Sequence, residues 1–178
     1  SPATPVMLFN SGTDAVSQLD GEYIWVPDNP SVRFTNFPNG FSIHFRFSCL
    51  NFAQHFTSTG GQYSRRFASK SDDENNGWAV IVNDLGNNVG GIEFNIMDAG
   101  IQYAKKSNGY YPGMWYQVVI TYDRNAGSTA DERIKIYTAG QENSVAATFG
   151  IILSTTFNLR IGARSSTTGF FYGYIHDF

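Results

Sequence analysis

Several features that would narrow the choice of fold or function are scarce in this chain. It has one cysteine in 178 residues, Cys49, so an internal disulfide is excluded. Only 15% of its residues are charged and the net charge is −3, which argues against nucleic acid as a partner because a phosphate backbone needs a basic surface. No apolar run approaches the length that a membrane-spanning segment needs.

Aromatic side chains and turn-forming residues are abundant instead. The chain has 15 Phe, 10 Tyr and 18 Gly. Phe and Tyr suit the pleated surface of a strand, and Gly between polar residues favours tight turns. Short apolar or alternating phrases recur with turn signals between them, and no stretch has helical apolar spacing with caps at its ends. The pattern predicts an all-β sandwich or barrel.

The clearest strand signal runs from Phe41 to Phe47. Alternation places the apolar and polar side chains of this phrase on opposite faces of a sheet. The two sets are Phe41, Ile43, Phe45 and Phe47 towards the core, and Ser42, His44 and Arg46 on the other face. Cys49 follows at the apolar parity and is predicted to be a small buried residue.

Strand-like phrases follow one another in a particular order along most of the chain. They are Asp20–Asp28, Phe41–Ile43, Gly77–Val80, Gly113–Asp123, Ile134–Tyr137, Leu159–Gly162 and Gly173–Phe178. This order resembles the laminin-G-like branch of the concanavalin A-like lectin/glucanase superfamily, from about Leu19 to the end. The resemblance implies an antiparallel jelly-roll β-sandwich of two sheets. We expect a single domain over 1–178, excised from a longer protein, because the chain lacks an initiator Met and stops after a strand-like phrase.

No catalytic pattern accompanies the resemblance. Glucanases of the superfamily carry a Glu-x-Asp-x-x-Glu strand, since retaining hydrolysis needs two carboxylates about 5 Å apart. This chain has no such phrase: Asp72–Glu74 is a loop run and Glu93 is a lone acid on a strand. No Gly-x-Ser-x-Gly turn and no Cys/His pair with catalytic spacing occurs. The domain is predicted not to be an enzyme.

The resemblance implies a structural calcium ion. In the family, the start of the first strand and the closing strand lie near each other, which makes Asp20 and Asp177 the predicted metal pair, with backbone carbonyls completing the shell. One departure affects this end of the chain, because His176 stands where the family commonly has an Asp. The alternative stays open that Asp20 caps a turn and Asp177 pairs with a neighbouring charge.

Aromatic side chains on a surface would be needed to stack on sugar rings. If Ile24 and Val26 face the core, Tyr23 and Trp25 share the outer face, where Trp25 is a candidate for sugar contact. The alternative is that the N-terminal segment or a neighbouring domain covers Trp25. Trp115 stands where the family keeps a core tryptophan, so the resemblance implies a structural role for it.

Further candidates for ligand contact come from loops. Tyr103, Tyr110 and Tyr111 fall in or near a glycine-containing loop and are predicted to stack on a ligand. Polar contacts at loop ends are predicted for Asn83, Asp84 and Arg164.

These observations lead to one leading hypothesis and two rivals. The leading one is a non-catalytic carbohydrate-binding, lectin-like module of an extracellular or cell-surface protein, with a glycan or a surface protein as partner beside other domains of the parent chain. The main rival is a structural or adhesion domain for protein–protein assembly of a surface layer, fibre or filament. The other is an accessory domain of a glycoside hydrolase.

Overall fold

The fold comes from a computed structural model of the chain. It describes residues 7–9, 23–33, 39–52, 65–71, 76–98, 101–123, 125–126, 133–143, 145–147, 156–163 and 171–178. Among these residues, no helix is long and apolar enough to cross a membrane.

The described residues form thirteen β-strands and a short 3₁₀ helix at Pro30–Val32. The strands are β1 Met7–Phe9, β2 Ile24–Val26, β3 Gly40–Cys49, β4 Arg65–Ser71, β5 Gly77–Asp84, β6 Gly90–Asp98, β7 Ile101–Tyr110, β8 Tyr116–Asp123, β9 Ile134–Thr138, β10 Gln141–Glu142, β11 Val145–Ala147, β12 Leu159–Ile161 and β13 Gly173–His176.

The strands pair into two antiparallel sheets. The six-stranded sheet has the order β1-β13-β3-β8-β9-β10, and the seven-stranded sheet has the order β11-β7-β6-β5-β4-β12-β2. The closing strand β13 therefore lies beside β3, so residues far apart in sequence become neighbours on one sheet. The predicted all-β sandwich of two antiparallel sheets is confirmed.

Aromatic rings fill the space between the sheets. The Phe67 centroid lies 5.0 Å from that of Phe45, 4.6 Å from that of Phe47 and 4.5 Å from that of Phe171. All four side chains are fully buried. Because Phe45 and Phe47 belong to β3 and Phe67 to β4, these contacts join the two sheets, and burying each ring contributes roughly 1.5–3 kcal/mol.

The alternation predicted for β3 is present. Ile43, Phe45 and Phe47 are buried, while Ser42, His44 and Arg46 are exposed. Cys49 is fully buried as predicted, and its burial raises the pKa of the thiol to about 12. This strand therefore presents an apolar side to the core and a polar side to the solvent.

A carboxylate surrounded by basic groups holds the region after β2. Asp28 accepts hydrogen bonds from Arg33 Nε at 3.0 and 3.2 Å, and it also contacts the ammonium of Lys70. The Lys70 side chain is almost completely buried and also donates to the carbonyl of Phe157. The hydrogen bonds from Arg33, and then from Lys70, lower the pKa of Asp28 to about 2.

Three of the predicted strands are shorter in the structure than in the sequence pattern. β12 ends at Ile161 because Gly162 takes a left-handed φ of 89°, and β13 ends at His176 because Asp177 takes a φ of 53°. β8 begins at Tyr116 rather than at Met114. The residues just before β8 are therefore not part of the strand pairing of the sheet.

Candidate functional site

The outer face of the six-stranded sheet carries the candidate site. Along β8 the core side holds Val118, Ile120 and Tyr122, which are buried. Gln117 has the opposite parity and is exposed, and Trp115 continues this outward parity just before the strand. The same alternation in β13 buries Ile175 and turns its neighbours outward.

Two aromatic rings lie together on this face. The centroids of Trp115 and Tyr174 are 6.2 Å apart, and their planes are inclined by 35°. Trp115 is 45% exposed and Tyr174 is half-buried. We call this pair the aromatic platform.

The platform is held above the middle strand of three. Trp115 precedes β8 and Tyr174 lies in β13, and these two strands flank β3. Neighbouring strands are about 4.8 Å apart, so strands on either side of β3 are separated by roughly twice that distance. Centroids only 6.2 Å apart mean that the rings lean towards each other across β3. Ser48 of β3, opposite Tyr174, is correspondingly buried to 3% exposure.

A row of polar side chains continues from the platform along the same face. Arg46 lies between Gln117 of β8 and His176 of β13 in the strand register. Gln117 Nε2 is 3.1 Å from His44 Nε2, and His176 Nδ1 is 2.5 Å from a carboxylate oxygen of Asp177. We call these residues the polar row. The face thus combines exposed aromatic rings with both hydrogen-bond donors and hydrogen-bond acceptors.

Exposed apolar side chains border the platform on its other side. The backbone N–H of Gly113 donates to the carbonyl of Cys49 at 2.8 Å, which brings the loop before β8 against the end of β3. Leu50, Tyr111 and Met114 lie in these segments and are 37%, 56% and 58% exposed. We call them the apolar rim. Exposed apolar side chains near an aromatic pair are a feature of binding surfaces.

The sequence-based prediction does not include the platform, because it places Trp115 in the core. The family resemblance implied a core tryptophan at Trp115, and that prediction is wrong. The tryptophan that is buried among the described residues is Trp78, with 2% exposure, and it packs 6.2 Å from Phe94. The signal that would have located the platform was present in the chain, since Trp115 shares its parity with Gln117 rather than with Val118.

Tyr110 is not available to stack on a ligand. Its ring is 1% exposed, and its hydroxyl lies 2.7 Å from Ser107 Oγ and 2.8 Å from Thr138 Oγ1. Burial raises the pKa of Tyr110. Since Ser107 belongs to β7 and Thr138 to β9, this tyrosine connects the two sheets. Its predicted role as a surface contact is corrected to a structural one.

The other predicted tyrosine of this segment lies near the platform. Tyr111 is exposed, and its backbone N–H donates to the Tyr116 hydroxyl at 2.8 Å. Tyr103 belongs to β7, and its side chain lies outside the described residues, as does all of Arg164. The predictions for Tyr103 and Arg164 therefore stay predictions.

Trp25 lies on the other sheet. It is 53% exposed on the edge strand β2, opposite Arg160 of β12. Ile24 packs against the core, as the alternation predicted, and Tyr23 is half-buried before the strand. The structure therefore does not bring Trp25 together with Trp115.

The polar candidates at the end of β5 have local partners. Asn83 Nδ2 donates to Glu93 Oε2 at 3.2 Å, and Lys106 Nζ lies 3.2 Å from the same oxygen. Asp84 Oδ1 accepts the backbone N–H of Gly86 at 2.9 Å, which forms the turn before β6. These side chains lie on the seven-stranded sheet, away from the platform.

The described residues include only one member, Asp177, of the predicted calcium pair. Among them, no group of three or more His, Cys, Asp and Glu side chains is placed to hold a metal ion. Asp177 is 39% exposed beside the His176 imidazole, and Asp20 lies outside the described residues. The predicted pair of metal ligands therefore stays a prediction, and no step of the proposed function depends on it.

Comparison with known proteins agrees with this architecture. A laminin G family model, described as the concanavalin A-like lectin/glucanases superfamily, matches residues 20–178. The chain belongs to this superfamily. Among solved structures, this superfamily member is similar to the native heptameric SAP-like pentraxin from Limulus polyphemus, with 12% identity, a TM-score of 0.51, and coverage of 93% of this chain and 76% of the pentraxin chain. At that identity the likeness shows the fold alone. No curated protein matches the chain.

Proposed function

We propose that this superfamily member is a non-catalytic carbohydrate-binding module whose sugar site is the aromatic platform with the adjoining polar row. The observation that carries the proposal is the pair of partly exposed rings, Trp115 and Tyr174, held on an open sheet face. An aromatic ring covers the C–H face of a pyranose, and polar groups beside it meet the hydroxyls.

The arrangement suits an extended glycan. In the described residues the platform and the polar row follow the surface of β3 from Ser48 towards His44, so successive sugar units have a continuous path. Gln117 and the histidines offer donors and acceptors, which is what a chain of hydroxyl groups needs. The strand ladder beneath fixes the spacing of these groups before any ligand arrives, which reduces the entropy cost of binding.

The carboxylates of this sheet support a non-catalytic role. Asp123 Oδ1 accepts the backbone N–H groups of Asn125 and Ala126, and Glu142 lies 3.5 Å from Lys135 Nζ. These acids serve turns and ion pairs, and the sequence lacks the paired acids of a retaining glucanase. An extracellular or cell-surface location is part of the proposal, because glycans are displayed there.

Protein–protein assembly is the second candidate function. The apolar rim of Leu50, Tyr111 and Met114 favours it, because exposed apolar side chains also mark protein interfaces. The two candidates differ in what they predict for a solution of the pure protein. An assembly domain self-associates or binds a protein partner without responding to sugars.

A glycan array followed by tryptophan fluorescence titration tests the proposal. We expect binding to a defined set of glycans, with a fluorescence change that is absent in Trp115→Phe. Light scattering on the same samples reports the mass. Concentration-dependent self-association with no response to any glycan would replace carbohydrate binding with the assembly function.

Calcium is tested separately from the sugar. If Asp20 and Asp177 hold an ion that only the folded state binds, calcium must raise the melting temperature and a chelator must lower it. Asp177→Asn should then abolish the difference. A melting temperature that is the same in calcium and in chelator would remove calcium from the account.

A further inference from the structure

We propose that the glycan bound on the aromatic platform is acidic, and that Arg46 binds the carboxylate of a uronic acid unit. This inference rests on the proposed carbohydrate function and specifies its ligand class. Arg46 is exposed on the outer face of β3, two residues along the strand from Ser48, which lies beneath the platform. That separation is about 6.7 Å, so the guanidinium is within reach of a sugar unit stacked on Trp115.

The acidic side chains around the platform have partners, whereas the guanidinium of Arg46 has none among the described residues. The carboxylates of Asp123 and Glu142 are engaged, by a turn and by Lys135, and the carboxylate of Asp177 lies against the His176 imidazole. Within the part of the chain that the structure describes, the Arg46 side chain forms neither an ion pair nor a hydrogen bond, although its backbone is paired with β8 and β13. A fixed positive charge is therefore available on this face, at the point where the polar row meets the rings.

The chemistry of the guanidinium favours a carboxylate over a hydroxyl. Arginine presents planar N–H donors that match the two oxygens of a carboxylate, and such charge-assisted bonds are about twice as strong as neutral ones. In a uronic acid the carboxylate is attached directly to the sugar ring, at its edge. The ring face can therefore stack on Trp115 while the carboxylate turns towards Arg46.

Gln117 and His44 fit the same ligand. Gln117 is opposite Arg46 in the register with β8, and its amide contacts His44. Neither side chain carries a carboxylate that would repel an acidic sugar, and both offer hydrogen bonds to ring hydroxyls. The platform supplies contact area, and Arg46 supplies the preference for charge.

The experiment compares matched acidic and neutral glycans. Oligosaccharides of galacturonic, glucuronic and mannuronic acid are titrated beside their methyl esters, which lose the charge of the carboxylate and gain one methyl group. We expect at least one acid to bind about tenfold more tightly than its ester, as a hydrogen bond to a charged group provides. Arg46→Gln should abolish this preference for the acid, and Arg46→Lys should retain part of it. Added salt should weaken binding of the acid but not of the ester.

Lys135→Gln provides the matched control. Lys135 is a cation of the same sheet, but it lies 3.5 Å from Glu142 and should not contribute to the preference. Equal affinity for acids and esters, or a preference that survives Arg46→Gln, would overturn the inference while leaving carbohydrate binding intact. A sulfated glycan without uronic acid that binds through Arg46 as tightly as the uronate would overturn the carboxylate assignment. Failure to bind any glycan, neutral or acidic, would instead overturn the proposed function.

Discussion

Replacing Trp115 by alanine is expected to weaken glycan binding by about tenfold. A fully covered tryptophan buries up to about 250 Å². Trp115 is 45% exposed, so about 110 Å² remains for a ligand. A sugar covers one of the two ring faces, or about 55 Å², and at about 25 cal/mol per Å² this is worth about 1.4 kcal/mol. That free energy corresponds to a tenfold change in Kd.

Trp25→Ala is the matched control for this substitution. Trp25 is 53% exposed, close to the exposure of Trp115, but it lies on the edge of the seven-stranded sheet. Isothermal titration of both variants with the same glycan, after circular dichroism has shown that each is folded, separates the two surfaces. Trp115→Ala should lose the affinity and Trp25→Ala should keep it. The opposite result would refute the assignment of the site to the six-stranded sheet.

Three further predictions concern stability. Gly173→Ala should lower the free energy of unfolding, measured by denaturant titration, by about 1–3 kcal/mol more than Gly140→Ala does. A Cβ added at Gly173 would lie 2.2 Å from a backbone oxygen of β3, whereas a Cβ added at Gly140 would have no atom within 4 Å. Equal losses would contradict the packing of β13. Asp28→Asn should lower the melting temperature at neutral pH, and this difference should shrink as the pH falls from 3.8 through about 2, where the folded carboxylate becomes protonated. A difference as large at pH 2 as at neutral pH would contradict the ion pair. Tyr110→Phe should lower the free energy of unfolding by about 1–3 kcal/mol and leave the Kd for the glycan unchanged. A higher Kd would show that Tyr110 contributes to the binding site.

Much of the fold was predictable because the chain repeats one simple signal. In β3 the apolar and polar side chains alternate, and Ile43, Phe45, Phe47 and Cys49 are buried as the pattern predicted. Two residues differ, because Phe41 is only partly buried and the polar Ser48 is buried. The order of the phrases then identified the superfamily, which the family model confirms. Strand ends were less predictable, because they depend on single left-handed residues such as Gly162 and Asp177.

The candidate site was not predictable in the same way. The platform depends on β13 lying beside β3, which places Tyr174 and Trp115 on either side of Ser48 although they are distant in sequence. Local patterns carry no information about such pairing. For Trp115, the family resemblance and the parity of the chain's own strand predict opposite faces, and the parity is right. Tyr110 shows the reverse error, since a neighbouring glycine suggested a loop where β7 continues into the core.

Amide chemical-shift mapping with a bound glycan tests the central claim most directly. We expect the perturbed amides to lie in and beside the three strands under the platform, at Arg46–Leu50, Trp115–Gln117 and Tyr174–His176. Perturbations confined to the seven-stranded sheet, near Trp25 or at the turn after β5, would contradict it.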